Sequence, residues 1–240
     1  MNTTHCVISG ANRGLGLSLV ALALQKGWAV SAISHREDCP ELRALAEPGD
    51  LSIYTASLDD DASMAAFAND FSKAGRPVDL LVNNAAVLGD IEKKLGNGLD
   101  YADALRTYNV NVLGPLRLAE AVWPLLLKTK EPCVANISSE AGSIERCSRD
   151  GWYAYNTSKA ALNMAGRVMH NQLKAHGGRV IQIHPGWVKT WIKGHFDSEA
   201  TLTADESARG VWDRIGAYRA LPAAPDMPPF VDQEGKDWPW

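Results

Sequence analysis

The chain has 240 residues, with 24 Lys or Arg and 28 Asp or Glu, so its formal net charge is -4. This length fits one α/β domain with a full core, and the acidic balance without a basic block argues against nucleic acid as a principal ligand. Residues 1–5 do not resemble a leader and no run of 18 apolar residues occurs. We therefore expect a cytoplasmic protein without a membrane span.

Short apolar runs and amphipathic segments alternate along the whole chain without a long linker. Strands are predicted at residues 6–9, 29–33, 51–55, 80–83, 133–138 and 179–184. Helices are predicted near 15–26, 62–74, 101–127 and 154–175. Because such alternation gives a parallel sheet with helices on both faces, we predict one doubly wound α/β domain, a Rossmann fold, over residues 1–240.

A glycine-rich turn follows the first predicted strand and precedes an apolar helical stretch. Gly10, Gly14 and Gly16 have the spacing Gly-x3-Gly-x-Gly. Gly10 allows a tight turn, and the other two glycines remove Cβ atoms where backbone approaches a pyrophosphate or packs on the strand. The helix that follows presents free N–H groups and a positive dipole end to phosphate. The turn predicts a nucleotide site, although an ordinary strand–turn–helix is the alternative when it is taken alone.

Tyr155 and Lys159 lie four residues apart in a predicted helix. Side chains at this spacing share one helix face, so the phenol and the ammonium can point into the same site. A tyrosine with a pKa of about 10 is a poor base at neutral pH, and a neighbouring cation favours the phenolate and lowers that pKa. The pair predicts a proton donor and acceptor for alcohol–carbonyl chemistry, and an ordinary surface pair is the alternative.

Four further motifs occur between and after these two features. They are Asn83-Asn84-Ala85-Ala86, Val110-Asn111-Val112-Leu113-Gly114, Asn136-Ile137-Ser138-Ser139 and Pro185-Gly186-Trp187-Val188-Lys189-Thr190. With all six motifs in this order, the chain resembles the short-chain dehydrogenase/reductase family from Val7 to about Gly186. The resemblance implies an NADP(H)- or NAD(H)-dependent oxidoreductase acting on the CH–OH group.

The resemblance also implies a role for each catalytic residue. Tyr155 would protonate the carbonyl oxygen as hydride arrives, or deprotonate an alcohol in the reverse direction. Lys159 would lower the Tyr155 pKa and hydrogen-bond the nicotinamide ribose. Ser139 would hydrogen-bond the substrate oxygen and polarise it. Asn111 would hold a water that links Lys159 to solvent.

The choice of serine leaves alternatives. Ser139 precedes Tyr155 by 16 residues (155 − 139), a few more than is usual in the family, and the extra length is expected as a loop over the site at residues 144–151. Ser143 and Ser138 are the rival serines. Ser139 is preferred because the Asn-Ile-Ser-Ser pattern of relatives places the second serine at the strand end.

The cofactor implied is NADP(H). In NAD-dependent relatives an acid ends the second strand, whereas here His35 stands near that place and Arg36 follows it. Arg13 matches the basic residue of NADP-preferring relatives. Two guanidinium groups that converge suit a 2′-phosphate, with two solvated surface arginines as the alternative. Glu37 and Asp38 are expected to point outward.

Nucleotide contacts are expected from residues at or after the strand ends. These are Gly10, Asn12, Arg13, Gly14, Leu15, Gly16, Arg36, Ser57, Leu58, Asn83, Asn84, Ala85, Tyr155, Lys159, Pro185, Gly186, Val188 and Thr190. Ser57 stands where relatives have an aspartate that contacts adenine, so this contact is weakened or moves to Asp59. Ala86 stands where glycine is usual. Both departures predict weaker cofactor binding, and no metal is expected.

Residues 187–205 are expected to form a substrate lid with an aromatic lining of Trp187, Trp191 and Phe196. Aromatic side chains offer large desolvated contact areas, which predicts an apolar or aromatic aldehyde, ketone or quinone as substrate. Packing of the lid on the protein itself is the alternative. The expected substrate contacts are Ser139, Tyr155, Trp187 and Trp191.

The C-terminal tail, residues 221–240, begins with a Pro-rich loop and ends in Trp238-Pro239-Trp240. This ending is similar to the C-factor-like and carbonyl reductase branch of the family. An apolar tail is expected to dock on a neighbour, and relatives form dimers or tetramers through helices near 101–127 and 154–173, so a homo-oligomer is predicted. Four cysteines without ligand-like pairing (Cys6, Cys39, Cys133 and Cys147) are expected to be reduced and buried.

Two function classes stay open at this point. The first is an NADPH-dependent reductase of a small-molecule carbonyl compound. The second is an NADP(H)-binding signalling or sensor protein in which catalysis is incidental. The intact set of Ser139, Tyr155 and Lys159 favours the first class, because a sensor has no need of an acid–base pair.

Overall fold

Seven strands run parallel in one sheet in the computed structural model, which describes residues 3–46 and 49–240. In chain order they are β1 (His5–Ser9), β2 (Ala29–Ser34), β3 (Leu51–Thr55), β4 (Leu80–Asn83), β5 (Cys133–Ile137), β6 (Arg179–His184) and β7 (Phe230–Asp232). The spatial order is β3-β2-β1-β4-β5-β6-β7, so the order reverses between β1 and β4. The predicted doubly wound parallel sheet is confirmed.

Helices cover both faces of this sheet. They are α1 (Gly14–Gln25), α2 (Pro40–Ala44), α3 (Asp61–Ala74), α4 (Tyr101–Tyr108), α5 (Gly114–Leu126), α6 (Tyr153–Lys174) and α7 (Ala204–Arg219). A π-helical turn, Asn109–Leu113, joins α4 to α5, and a 3-10 turn, Glu140–Gly142, follows β5. Successive strand residues face opposite sides, so Ile8 packs with α1 and α7 while Val7 packs with α3, α5 and α6.

Local sequence accounts for the helix ends. Asp60 precedes α3, and its carboxylate accepts the Ser63 N–H at 2.6 Å. Gly75 ends the same helix with a φ of 63°, a left-handed conformation that glycine adopts without a steric cost. Thr203 and Glu206 cap α7 reciprocally, each side chain accepting the backbone N–H of the other.

The structure corrects several predicted elements. The segment 101–127 is α4, a π turn and α5 rather than one helix, and the fifth strand ends at Ile137 rather than at residue 138. Helices α2 and α7 and strand β7 were not predicted. Helix α7 packs beside α1, where the rings of Trp28 and Trp212 lie 5.2 Å apart and the Ser18 hydroxyl donates to Asp205 at 2.6 Å. The predicted lid therefore ends before Ala204.

The tail folds back on its own chain. Strand β7 joins the sheet edge beside β6, and the Trp240 ring lies 5.6 Å from that of Phe230. The Trp240 carbonyl accepts the Glu145 N–H at 3.2 Å, which connects the tail to the loop between the 3-10 turn and α6. Apolar burial within the protomer thus explains the aromatic ending.

Three of the four cysteines are buried as expected, and burial raises the pKa of Cys133 to about 12. Cys147 is exposed in the loop between the 3-10 turn and α6, so the expectation of burial is wrong there. In the described part of the chain, no helix has the length and apolar character that crossing a membrane requires.

Candidate active site

The glycine turn lies against the end of β4 with no room for side chains. Gly10 has a φ of 65°, and a Cβ atom on it would lie 2.8 Å from the Cα of Ala85. A Cβ on Gly16 would lie 2.6 Å from Asn84 Nδ2 and closer still to the carbonyl oxygen of Gly10. A Cβ on Gly14 would lie 3.1 Å from Thr190 Cγ2. The three glycines therefore form a close-packed turn, called here the glycine cradle, in which a methyl group on any of them would crowd its neighbours.

Asparagines and a serine hold the strand ends together around this cradle. Asn84 Nδ2 donates to the Ser9 carbonyl at 2.9 Å, and Ser9 Oγ accepts the Asn84 N–H at 3.0 Å and the Ala85 N–H at 3.1 Å. On the neighbouring strands, Asn83 Nδ2 donates to Asn136 Oδ1 at 2.8 Å. The Asn-Asn-Ala motif thus fixes the ends of β1, β4 and β5 relative to one another.

The remaining predicted nucleotide contacts lie along the same edge. Asn12 and Leu15 are buried in the glycine turn and the first turn of α1. Pro185, Gly186 and Val188 follow β6, where Gly186 has a φ of 82°. The Pro185 carbonyl is held by the Ser207 hydroxyl at 2.6 Å.

A cationic group stands at the carboxyl end of β2. Burial and, to a smaller extent, the charge of Arg36 lower the pKa of Arg13. The pKa of His35 is lowered mainly by burial and further by the charges of Arg36 and Arg13. In residues 3–46 and 49–240, neither guanidinium has a carboxylate within ion-pairing distance, and Arg13 lies 5.6 Å from the Trp191 ring centroid. Glu37 and Asp38 are exposed. Two unbalanced guanidinium groups at one place suit an anion of high charge.

The position after β3 keeps a carboxylate although Ser57 replaces the usual aspartate. The Ser57 hydroxyl donates to Asp59 at 2.6 Å, and the Ser57 N–H donates to the Ser63 hydroxyl at 2.9 Å. Leu58 is buried between them. Asp59 therefore stands close to the place where relatives have the acid.

Tyr155 and Lys159 are both buried on the face of α6 that is turned to the strand ends, with side chains 8% and 2% exposed. Lys159 Nζ donates to the Ile137 carbonyl at 2.9 Å and lies 5.7 Å from the centroid of the Tyr155 ring. Burial lowers the pKa of Lys159 to about 8. The helical spacing thus places the two groups together, as the sequence predicts.

The Tyr155 pKa moves in the direction opposite to the sequence-based expectation. Burial raises it above its ordinary value, the Ser139 hydroxyl lowers it, and the charge of Glu140 raises it further. Desolvation dominates because the phenolate would lose its hydration inside the protein.

The three candidate serines have different partners. Ser139 stands just beyond β5, where its hydroxyl donates to Glu140 Oε2 at 2.6 Å and lowers the pKa of Tyr155. Ser138 donates to Asn163 Oδ1 at 2.6 Å, and Ser143 accepts the Arg146 N–H at 3.2 Å. Of the three, Ser139 is the serine that affects the pKa of Tyr155.

Asn111 lies in the π turn between α4 and α5 and is buried. Its amide nitrogen donates to the Val87 carbonyl at 2.8 Å and to the Ser158 hydroxyl at 3.0 Å, and its oxygen accepts the Val87 N–H at 2.9 Å. Both side-chain donors are therefore used within the protein. The side chain connects the segment after β4 to the residue beside Lys159.

The lid aromatic residues pack largely on the lid itself. The Trp187 indole N–H donates to Asp197 at 2.8 Å, and Lys193 pairs with the same carboxylate at 2.8 Å. The rings of Trp191 and Phe196 lie 4.8 Å apart. These side chains are 38–48% exposed, so the protein does not enclose them.

The sequence does not single out Leu88 and Ile91, two of the apolar residues that surround the tyrosine. Leu88 and the partly buried Ile91 and Trp152 pack around it, with the Trp152 ring 6.2 Å from that of Tyr155. Glu140, directly after the serine, also went unnoticed. No local pattern points to Leu88 or Ile91, because they follow β4 in a segment without regular structure.

Fold and site together define a class of protein. The sheet is doubly wound, the glycine cradle lies at its switch point, and a buried Tyr–Lys pair lies at the same edge. These three features are typical of a dinucleotide-binding oxidoreductase. Residues 4–200 match the sequence profile of the short chain dehydrogenase family. The chain belongs to that family.

Individual proteins agree with this assignment. C-signal of Myxococcus xanthus is 40% identical over 177 residues, which cover 74% of this chain and 100% of that protein. The NADPH-bound carbonyl reductase from chicken fatty liver superposes with a TM-score of 0.86 at 30% identity, covering 100% of both chains. A short-chain dehydrogenase/reductase from Burkholderia multivorans with bound NADP gives 0.87 at 29% identity, again over 100% of both. The predicted resemblance to the C-factor-like and carbonyl reductase branch is confirmed.

Proposed function

We propose that the protein is an NADPH-dependent oxidoreductase that reduces an aldehyde, ketone or quinone to an alcohol, with Tyr155 as the proton donor. The observation that carries the proposal is the burial of Tyr155 and Lys159 at the strand edge that also holds the glycine cradle. The bound nicotinamide would supply the hydride. Every other step falls to the residues of this chain.

The cofactor part of the proposal rests on the fit of the residues present. The cradle at Gly10 and Gly16 leaves backbone within reach of a pyrophosphate and excludes side chains. Arg13 and Arg36 would hold a 2′-phosphate, which NADP(H) has and NAD(H) lacks. The NADP-bound relatives described above support the same choice.

The acid–base part rests on the environment of Tyr155. Because burial raises its pKa, the phenol keeps its proton at neutral pH and can donate it to a carbonyl oxygen as negative charge develops there. Ser139 would orient the reacting hydroxyl and the substrate oxygen. Lys159, whose pKa is lowered to about 8, would return a proton to the site after each reduction.

The substrate part rests on the apolar residues around the tyrosine. Leu88, Ile91 and Trp152 pack against it, and Trp187 and Trp191 are partly exposed aromatic side chains in the segment after β6. Such a lining favours desolvated carbonyl compounds with apolar or aromatic substituents. We therefore propose this substrate class, and we do not propose the signalling or sensor alternative, because a sensor would need no buried acid–base pair.

The experiment that tests the proposal measures binding and turnover separately. The purified protein is titrated with NADPH and with NADH by nucleotide fluorescence, and NADPH oxidation is then followed with benzaldehyde, acetophenone, cyclohexanone, 2,3-butanedione and phenanthrenequinone. We expect tighter binding of NADPH, and turnover that Tyr155→Phe abolishes while its NADPH affinity stays within about twofold of wild type. Turnover in Tyr155→Phe close to the wild-type rate would overturn the role of the tyrosine.

We also propose that the protein forms a homodimer or homotetramer through α4, α5 and α6. Tyr101 and Leu105 on α4 and Met164 and Val168 on α6 are exposed apolar side chains. Burial of such side chains between protomers would remove apolar area from water. Sedimentation velocity should give a mass of at least twice 26.0 kDa.

A further inference from the structure

The first part of the predicted lid lies against the glycine cradle. A Cβ atom on Gly14 would lie 3.1 Å from Thr190 Cγ2. The guanidinium carbon of Arg13 lies over the Trp191 ring, 5.6 Å from its centroid. An arginine is attracted to an aromatic face within about 6 Å of the ring centroid. Two consecutive lid residues therefore contact two consecutive residues of the cradle.

The Trp191 ring is held in place by the lid. It packs on the Phe196 ring, with the two centroids 4.8 Å apart. The Asp197 N–H donates to the Thr190 carbonyl at 2.9 Å, which closes the backbone around the two rings. Asp197 is buried, and its carboxylate is bound by other lid side chains as described above. The ring beneath Arg13 is therefore fixed by a closed turn of the lid.

Arg13 needs such a support to bind an anion well. Its side chain is exposed, although the two residues before it are buried. An exposed arginine samples many rotamers, so fixing it on a phosphate costs conformational entropy. Stacking on an aromatic ring occupies only the face of the planar guanidinium and leaves the N–H groups at its edge free. The Trp191 ring thus restricts Arg13 before a phosphate binds.

Arg36, the other arginine at this place, is supported from its own strand end. Its Nε donates to His35 Nε2 at 3.4 Å, and its backbone N–H donates to the Ser34 hydroxyl at 2.9 Å. The contact to Arg13 comes instead from the lid, a segment distant in sequence. Loss of the Trp191 ring should therefore have the same kind of consequence as loss of Arg13.

We propose that Trp191 is a positioning residue for NADP(H), whose ring holds the Arg13 guanidinium in place for the 2′-phosphate. The lid then helps to determine the choice between NADPH and NADH. This inference rests on the proposed function, in which Arg13 and Arg36 hold that phosphate. Because NADH lacks the phosphate, its affinity should not depend on the ring.

The test measures NADPH and NADH affinities by nucleotide fluorescence without substrate, so that lid contacts to a carbonyl compound do not enter. Trp191→Leu removes the aromatic face and keeps an apolar side chain against Phe196. We expect this variant to bind NADPH about two- to fivefold more weakly than wild type, the factor for a cation–π contact at an exposed site. NADH should bind wild type and Trp191→Leu equally. Trp191→Phe should bind NADPH more tightly than Trp191→Leu, since a phenyl face also attracts a guanidinium.

A double-mutant comparison shows whether the ring acts through Arg13. In an Arg13→Gln background, Trp191→Leu should no longer change the NADPH affinity. Trp28→Leu is the matched control, because the Trp28 ring lies 5.0 Å from the Arg219 guanidinium. Trp28 stands at the amino end of β2, away from the nucleotide, so the same substitution removes the same kind of contact elsewhere. This control should leave both affinities at the wild-type value.

The outcomes separate this inference from the function on which it rests. Unchanged or tighter NADPH binding in Trp191→Leu overturns the positioning role, and so does an equal loss for NADPH and NADH. An undiminished effect of Trp191→Leu in the Arg13→Gln background overturns it as well. In each case the proposed function stands if Arg13→Gln alone weakens NADPH more than NADH. If Arg13→Gln affects both nucleotides equally, the 2′-phosphate part of the proposed function fails, and this inference fails with it.

Discussion

Replacement of Gly16 by alanine tests the nucleotide cradle through sterics alone. The added Cβ would lie 2.6 Å from Asn84 Nδ2 and 2.8 Å from the Gly10 carbonyl carbon, with the Gly10 carbonyl oxygen nearer still. The nearest of these neighbours is backbone in a turn that is itself packed on Ala85, so it cannot rotate away. The turn and α1 must separate for the methyl group to fit.

The expected cost is that of overpacking a buried site. Gly16→Ala should lower the free energy of unfolding by roughly 1–3 kcal/mol. For a chain of this size that is a fall in Tm of about 2–12 °C. Because the displaced Gly10 lines the cradle, we expect NADPH affinity to fall at least about tenfold, or about 1.4 kcal/mol.

Gly216→Ala is the matched control, because the same substitution is made where nothing lies within 4 Å of the new Cβ. Gly216 is in the interior of α7, where alanine should stabilise the protein by about 0.8–1.0 kcal/mol and leave NADPH binding unchanged. Urea unfolding measures the free energies of unfolding, and titration followed by nucleotide fluorescence measures the NADPH affinities. Wild-type stability and wild-type NADPH affinity in Gly16→Ala would show that the turn has room for a side chain at this position and would refute its role as a close-packed nucleotide site.

Two further predictions use the charged groups of the site. Burial lowers the pKa of Lys159 from 10.5 to about 8, so between these values the unfolded chain binds more protons and the stability contributed by this site rises with pH. Against Lys159→Met, wild type should gain on the order of 3 kcal/mol in free energy of unfolding from pH 8 to pH 10.5, and a constant difference would contradict the burial of a charged lysine. Replacing both Arg13 and Arg36 by glutamine should weaken NADPH binding at least about tenfold and leave NADH binding within about twofold. Equal losses for both nucleotides in fluorescence titrations would show that the arginines do not hold the 2′-phosphate.

Much of the fold follows from local sequence, and the missing parts have identifiable causes. Strand runs and the glycine turn are continuous in sequence, so their positions are predicted closely. Helix α7 was missed although Thr203 and Glu206 form a capping box before apolar residues at helical spacing. Strand β7 is only three residues long, which is too short to show the alternation of apolar and polar residues that predicts a strand. It forms by pairing with β6, which lies far away in the sequence.

The site shows the same division between local and distant information. Tyr155 and Lys159 share a helix face, and their spacing alone brings them together. The pKa of Tyr155 could not be predicted, because it depends on burial and on Glu140, whose orientation is set by Arg149 and by His184 on a distant strand. In the predicted lid, the Trp187 indole is engaged with Asp197 ten residues further on, a contact that composition does not reveal.

The proposed reduction is tested most directly by following the hydride itself. NADPH deuterated at the transferring position of the nicotinamide is incubated with the protein and the carbonyl panel, and the products are analysed by mass spectrometry. We expect deuterium on the carbinol carbon of at least one product with wild type and none with Tyr155→Phe, although that variant still binds NADPH. Tight NADPH binding without deuterium transfer to any carbonyl compound would contradict the proposed reduction.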